Sequence, residues 1–311
     1  MTDNHVVGAY AAAPTGDGRR EFYDSVMKLP GCTGLEVPLL SADYSADKTW
    51  LEPLITANGA HVITLIPATM EALRLSSSWG LASSVENGRR ESVNFLREVR
   101  NAVEELTRAG ASIVAVEVHS APSRRADASA FLDSLGEIVG WEWCGAALAV
   151  EHCDAARVGR RPEKGFLSLE EELDVVRRIR DGGASTHVGL SINWGRSVID
   201  ERNVHGAVDQ IAIARSADLL DGLMFSGAVD KDSDFGPAWT DAHAPLRFAG
   251  GSSGERYSLL TNGELVDSLH AAGDGLRFDG VKVSVRPTSA GIGERLATVR
   301  RIWRSFTGAR K

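Results

Sequence analysis

Apolar runs of strand length alternate with segments of helical period along the whole chain. Eight runs read as strands: HVVGAYAAAP, CTGLEVPLL, HVITLIPATM, SIVAVEVHSAP, ALAVEHCD, HVGLSINWGRS, LLDGLMFSGAV and FDGVKVSVRP. Between and after them lie helix candidates such as RREFYDSVMKL, ESVNFLREVRNAVEELTRAG, ASAFLDSLGEIVGW, LEEELDVVRRIRDGG, NVHGAVDQIAIARSA, NGELVDSLHAAG and GERLATVRRIWRSF. Gly110, Gly182 and Gly183 stand where helix C-terminal caps belong, and Ser168 and Asn203 can cap helix starts. Strand followed by helix, eight times over with no break in composition, predicts an α/β chain folded as a single (β/α)8 TIM barrel over residues 1–311. An open doubly wound sheet that binds a dinucleotide would need a GxGxxG turn after its first strand, and APTGDGRR does not supply one. Two long excursions, residues 71–88 and 228–258, follow strands three and seven, where barrel loops cover the mouth.

Composition narrows the class of molecule. The chain has 311 residues, of which 43% are hydrophobic and 24% charged, enough for a full core in a soluble protein. A net charge of -8 gives no general attraction to nucleic acid or to anionic membrane surfaces. Cys32, Cys144 and Cys153 lack CxxC spacing, so neither a disulfide framework nor a thiolate metal site is indicated. The first ten residues, MTDNHVVGAY, show no targeting pattern, no apolar run is long enough to span a bilayer, and a reducing cytoplasm is the expected location. Lysine is scarce, at Lys28, Lys48, Lys164, Lys231, Lys282 and Lys311, so a lysine inside a strand stands out.

The strand ends carry the candidate chemistry, because a barrel places its active site at the C-terminal ends of its strands. Strand two ends in Glu36, and strand four carries Glu117 and His119 on one face. Strand five closes with Glu151, His152 and Asp154, alternation putting Glu151 on one side and His152 on the other. Strand six ends in Asn193, Trp194 and Arg196, strand seven in Phe225 and Ser226, and strand eight alternates Lys282, Ser284 and Arg286. Each alone reads equally well as a structural ion pair or a packed side chain. Three carboxylates with two histidines at one mouth point to acid/base work.

The segments GLEVP, EVHSAP and VEHCD on this eightfold order resemble the xylose isomerase-like, or sugar phosphate isomerase/epimerase-like, TIM barrels. INWGRS, MFSG, WTDAHAP and VSVRP resemble an uncharacterised branch of that superfamily. The resemblance implies a sugar or sugar phosphate as partner and a divalent metal (Mn, Mg or Zn) held by Glu, Asp, His and Glu at the ends of strands five to eight. Carried over position by position, Glu151 matches the first ligand. Asn193 stands in place of the aspartate, Phe225 and Ser226 in place of the histidine, and Lys282 or Ser284 in place of the last glutamate. Any metal would need Asp241 and His243 of the loop after strand seven to join Glu151, so the cofactor stays open.

The expected function is a sugar or sugar-derivative isomerase or epimerase working next to a carbonyl. Glu151 and Glu117 would move protons, with His119 or His152 polarising the carbonyl and Lys282 and Arg286 supplying positive charge. A lyase with a Schiff base on Lys282 is the alternative if Arg286 lies close enough to lower the amine's pKa. A catalytically lapsed barrel that only binds carbohydrate, and an endonuclease of the same superfamily, also remain. The endonuclease would show a basic groove and a fuller metal set. Glu36, Asn193, Trp194, Arg196, Arg286, Trp239 and His243 are the candidate substrate-binding residues, with Trp79, Trp194 and Trp239 as stacking faces. The loop RPTSAGIGER could cradle a phosphate on Ser289, Gly291 and Gly293, or simply start a helix; GGSSGER at 250–256 reads as flexible linker. A homo-oligomer is compatible with all of these readings.

Overall fold

The computed structural model describes residues 4–16, 18–57 and 59–310. The eight predicted strands are all present: β1 (His5–Val7), β2 (Gly34–Val37), β3 (Ala60–Thr64), β4 (Ser112–Val118), β5 (Ala147–His152), β6 (Val188–Asn193), β7 (Leu220–Phe225) and β8 (Phe278–Val281). Each pairs in parallel with the next and β8 returns to β1, closing an α/β barrel. The helices around it are α1 (Arg19–Met27), α2 (Ala42–Ala57), α3 (Ile66–Leu75), α4 (Glu86–Arg108), α5 (Ala128–Ile138), α6 (Leu169–Asp181), α7 (Trp194–Glu201), α8 (Val204–Ser216), α9 (Ser253–Tyr257), α10 (Asn262–Ala272) and α11 (Ile292–Ala309). Among the described residues no helix is long and apolar enough to cross a membrane.

Strand alternation sorts the side chains. Leu35, Val37, Val116, Val118, Leu148, Val150, Leu190, Ile192 and Val281 point outward into the main core shared with the helices. Val6, Val62, Ala115, Ala149, Met224 and Phe278 point inward and form a small apolar plug inside the barrel. Toward the C-terminal ends the inward positions turn polar, with Glu36, Thr64, Glu117, Glu151, Ser191, Asn193 and Lys282 all at 0% exposure. The layered interior thus has an apolar floor and a charged top.

Three helices lie where the sequence reads strand or loop, the first being α3, which takes the IPATM end of the third apolar run and the start of the 71–88 excursion. INWGRS does not trail off beyond β6: Asn193 caps α7 by accepting from the Arg196 N–H, and the chain enters that helix at once. GGSSGER is not a flexible linker. Ser252 and Glu255 form a capping box, the reciprocal Ser-x-x-Glu arrangement that starts α9.

Candidate active site

Glu151 is the centre of the buried polar layer. Its Oε2 lies 2.8 Å from His119 Nε2, and its Oε1 lies 2.5 Å from Arg196 Nη1, 3.3 Å from Asn193 Nδ2 and 3.9 Å from Lys282 Nζ. Lys282 in turn donates to Glu36 Oε1 at 2.7 Å. Ser191 donates to Glu117 Oε1 at 2.8 Å, and Ser226 donates to the Asn193 amide oxygen at 2.7 Å. Carboxylate oxygens of Glu36, Glu117 and Glu151 all come within 4.8 Å of one another. Gly8 makes this packing feasible: a Cβ there would sit 2.4 Å from Glu36 Oε2 and 2.9 Å from Lys282 Cβ.

Environment pushes the carboxyls apart. Burial would raise Glu151, but the charges of Arg196 and Lys282 and the His119 hydrogen bond outweigh it and hold this carboxyl well below its usual range. Glu117 moves the opposite way, well above that range, because it is buried and faces the negative charges of Glu151 and Glu36. Burial also raises Glu36 despite Lys282. For Lys282, burial would lower the amine, but Glu36, Tyr10 and Glu151 prevail and hold it well above its ordinary value. Burial lowers His119, so the ring is neutral at physiological pH. Its Nε2 carries the proton toward the Glu151 carboxylate, and its Nδ1, without a hydrogen-bond partner in the described structure, is a free acceptor.

Further charge comes from Asp241 and His243 of the loop after β7 and Lys164 of the loop after β5. Asp241 Oδ2 accepts from Arg196 Nε at 2.9 Å and from Lys164 Nζ at 3.0 Å, and His243 Nδ1 lies 3.2 Å from its Oδ1. Arg196 therefore sits between Glu151 and Asp241. Burial would raise Asp241, but Arg196, His243 and Lys164 hold it well below the usual carboxylate range. His243 is pushed down to about 3, first by burial and then by the surrounding cations, against the pull of Asp241. The loop is fixed to the barrel rim through Ser284, whose N–H and Oγ both donate to backbone carbonyls of the 242–243 segment, and through a bridge between Gly227 and Ala244.

The structure brings Glu36, Glu117, His119, Glu151, Asn193, Arg196, Asp241, His243 and Lys282 together and leaves out five other sequence candidates. His152 faces outward from β5, 2.7 Å from Glu172 of α6 and 3.7 Å from Asp200 of α7, and cannot reach a substrate in the barrel. Trp194 opens α7 and is completely buried in the main core; Trp79 is also buried, edge-on to Phe95. Trp239 is half-buried with the Arg202 guanidinium over its ring at 4.8 Å. Arg286 lies over Phe235 at 5.3 Å, and it is Glu36 and Glu151 that adjoin Lys282, so the amine is held protonated and a Schiff base there loses its support. In the loop after β8 the Gly291 N–H is taken by Glu294, and Arg295 donates to the carbonyls of Ala12, Ala13, Thr288 and Ala290, the bonding of a capped helix start.

Sequence reasoning missed Lys164, Tyr10 and Ser191 as site residues. The scarcity of lysine was a usable signal for Lys164, which the loop after β5 presents because Asp154 accepts from the Glu163 and Lys164 N–H groups. Tyr10, whose ring faces Lys282 Nζ at 5.7 Å and whose hydroxyl is buried without a hydrogen-bond partner in the described structure, lies in a short 3-10 turn with no motif to flag it.

A family model described as a domain of unknown function, DUF4862, matches residues 6–298. The chain belongs to the DUF4862 family. A relative from Salmonella typhimurium, the uncharacterized protein STM3670, is 32% identical over 309 residues, spanning 95% of this DUF4862 chain and 94% of its own. Among solved structures, a putative xylose isomerase from Rhodospirillum rubrum superposes with a TM-score of 0.61 at 12% identity, covering 99% of both chains. A D-psicose 3-epimerase crystallised in the presence of D-fructose gives 0.59 at 13%, covering 100% of this chain and 98% of the other. An AP endonuclease, family 2, from Brucella melitensis gives 0.56 at 12%, covering 96% and 97%. These likenesses establish the xylose isomerase-like barrel as the fold of this DUF4862 chain.

The three clustered glutamates are close enough to share a metal ion, but their chemistry argues against one. Glu36 and Glu151 already face Lys282, Glu151 and Asp241 already face Arg196, and Glu117 is biased toward its protonated form. A hard divalent cation requires several anionic oxygens to offset its lost hydration, and here Glu36, Glu151 and Asp241 each face a side-chain cation while Glu117 favours its neutral form. The rescue set of Glu151, Asp241 and His243 fails on the same ground, with a guanidinium between the two carboxylates.

Proposed function

We propose that this DUF4862 chain is a sugar isomerase or epimerase that moves a proton at a carbon beside a carbonyl, with Glu151 as base and Glu117 as acid. The observation that supports this most is a pair of adjacent carboxyls driven in opposite directions by their surroundings, the arrangement that lets one accept and the other donate at the same pH. Glu151 takes the proton from carbon, and the negative charge that develops on the carbonyl oxygen is met by Lys282 and Arg196. Glu117 returns a proton, and His119 Nδ1 accepts a hydrogen bond from a substrate hydroxyl. The side-chain cations Lys164, Arg196 and Lys282 balance Glu36, Glu151 and Asp241, so the site favours an uncharged sugar over a phosphorylated one.

The complete burial and mutual pairing of these groups favours a second reading, a lapsed barrel in which the cluster only stabilises the fold. Turnover assays over a panel of ketoses, aldoses and their phosphates, with product identification, separate the two. Glu151→Gln preserves volume and hydrogen-bonding reach but removes the proton acceptor, so turnover should fall by roughly 100-fold or more with the fold kept. A Gln variant that melts lower yet keeps the wild-type rate per folded molecule would support the lapsed barrel instead.

A further inference from the structure

Three buried glutamates around one point are an arrangement built for a cation, and the cation present is a side chain. Lys282 is at 0% exposure, with its ammonium 2.7 Å from Glu36 and 3.9 Å from Glu151. Glu36 Oε2 and Glu117 Oε2 are buried without hydrogen-bond partners in the described structure, so the cluster has coordinating capacity that the lysine does not use. The missing Cβ at Gly8 leaves room for both Glu36 and the lysine stem. We infer that the Lys282 ammonium stands in the place of a divalent cation, so that the wild-type chain leaves the three-carboxylate cluster free of metal, and that removing this one charge opens the cluster to a metal ion. The physical ground is competition for the same oxygens. An ammonium of charge +1, hydrogen-bonded in a site closed to water, repels an incoming dication and occupies its ligands, whereas an apolar side chain of similar length leaves Glu36 without its counter-charge and Glu151 with Arg196 alone.

The experiment is a MnCl2 titration followed by calorimetry and by electron paramagnetic resonance, on wild type, Glu117→Gln, Lys282→Met and Lys282→Met/Glu117→Gln. Wild type should show no saturable binding. Lys282→Met should take up about one ion per chain and melt several degrees higher with Mn than without, and the double variant should lose both effects. Wild type that binds Mn stoichiometrically and loses it on Glu117→Gln would overturn the inference, as would a folded Lys282→Met that binds none. Should Lys282→Met fail to fold even in MnCl2, the wild-type titration decides alone. Binding is read without any substrate, so failure here and failure of the isomerase reading are separate results.

Discussion

Glu151 and Glu117 differ by what stands next to them, and this difference has a kinetic signature. Glu151 must be ionised and Glu117 protonated for the proposed proton transfer. Glu151 is held well below the usual carboxylate range and Glu117 well above it. The rate should therefore be flat across the interval between them, fall at acid pH as Glu151 gains its proton, and fall at alkaline pH as Glu117 loses its own. A pH-rate profile on wild type measures both limbs, and Glu117→Gln should abolish the alkaline one. Gly8 offers a second test at single-residue resolution. Its backbone angles are open to any residue, so Gly8→Ala acts only through the added methyl, which would meet Glu36 Oε2 and the Lys282 stem. Overpacking of this kind costs about 1–3 kcal/mol. Thermal melts should register that loss, and turnover should drop because the displaced Lys282 no longer faces the developing charge; an Ala variant with unchanged rate and melt would show that the cluster tolerates displacement.

At the level of elements, the eight strands were legible because each is a compact apolar run between helical segments, and the closed barrel follows from their parallel order. What could not be read was which side of each strand faces in. A shift of one residue exchanges the faces, so Glu151 and His152 were equally plausible partners for a substrate. The structure assigns Glu151 to the interior and His152 to the helix side, where Glu172 and Asp200 receive it. Helix α7 was hidden because a strand runs straight into its cap, so Trp194 read as a loop residue and proved to be core. Lys164 and Asp241 meet across 77 positions of sequence, a contact no local pattern announces. His152 now has a structural prediction. Burial alone would lower it, but Glu172 and Asp200 outweigh burial and hold it up from 6.5 to about 10. A raised folded-state pKa contributes stability that is complete below 6.5 and lost as pH rises through about 10, so the wild-type melting temperature should decline over that interval. His152→Gln should flatten that decline and cost on the order of 3–5 kcal/mol, because buried Glu172 loses its counter-charge, while turnover per folded molecule stays unchanged. Denaturant melts at several pH values, beside an activity assay, check both parts.

For the whole molecule, closure of the barrel makes the site. Residues as far apart as Glu36 and Lys282, separated by 246 positions, meet because all eight strand ends ring one interior. The apolar plug beneath them and the loop above keep the cluster out of water, which strengthens each charge interaction within it. In the proposed mechanism these groups move a proton between carbon and solvent-exchangeable carboxyls, and proton NMR in D2O, over a panel of unphosphorylated ketoses and aldoses, reads that transfer. With wild type, the signal of the hydrogen on the carbon beside the carbonyl of the true substrate should disappear as deuterium enters from solvent, and with Glu151→Gln it should persist at least 100-fold longer. Isomerised product that carries no deuterium, or exchange that proceeds at the same rate without Glu151, would contradict the account.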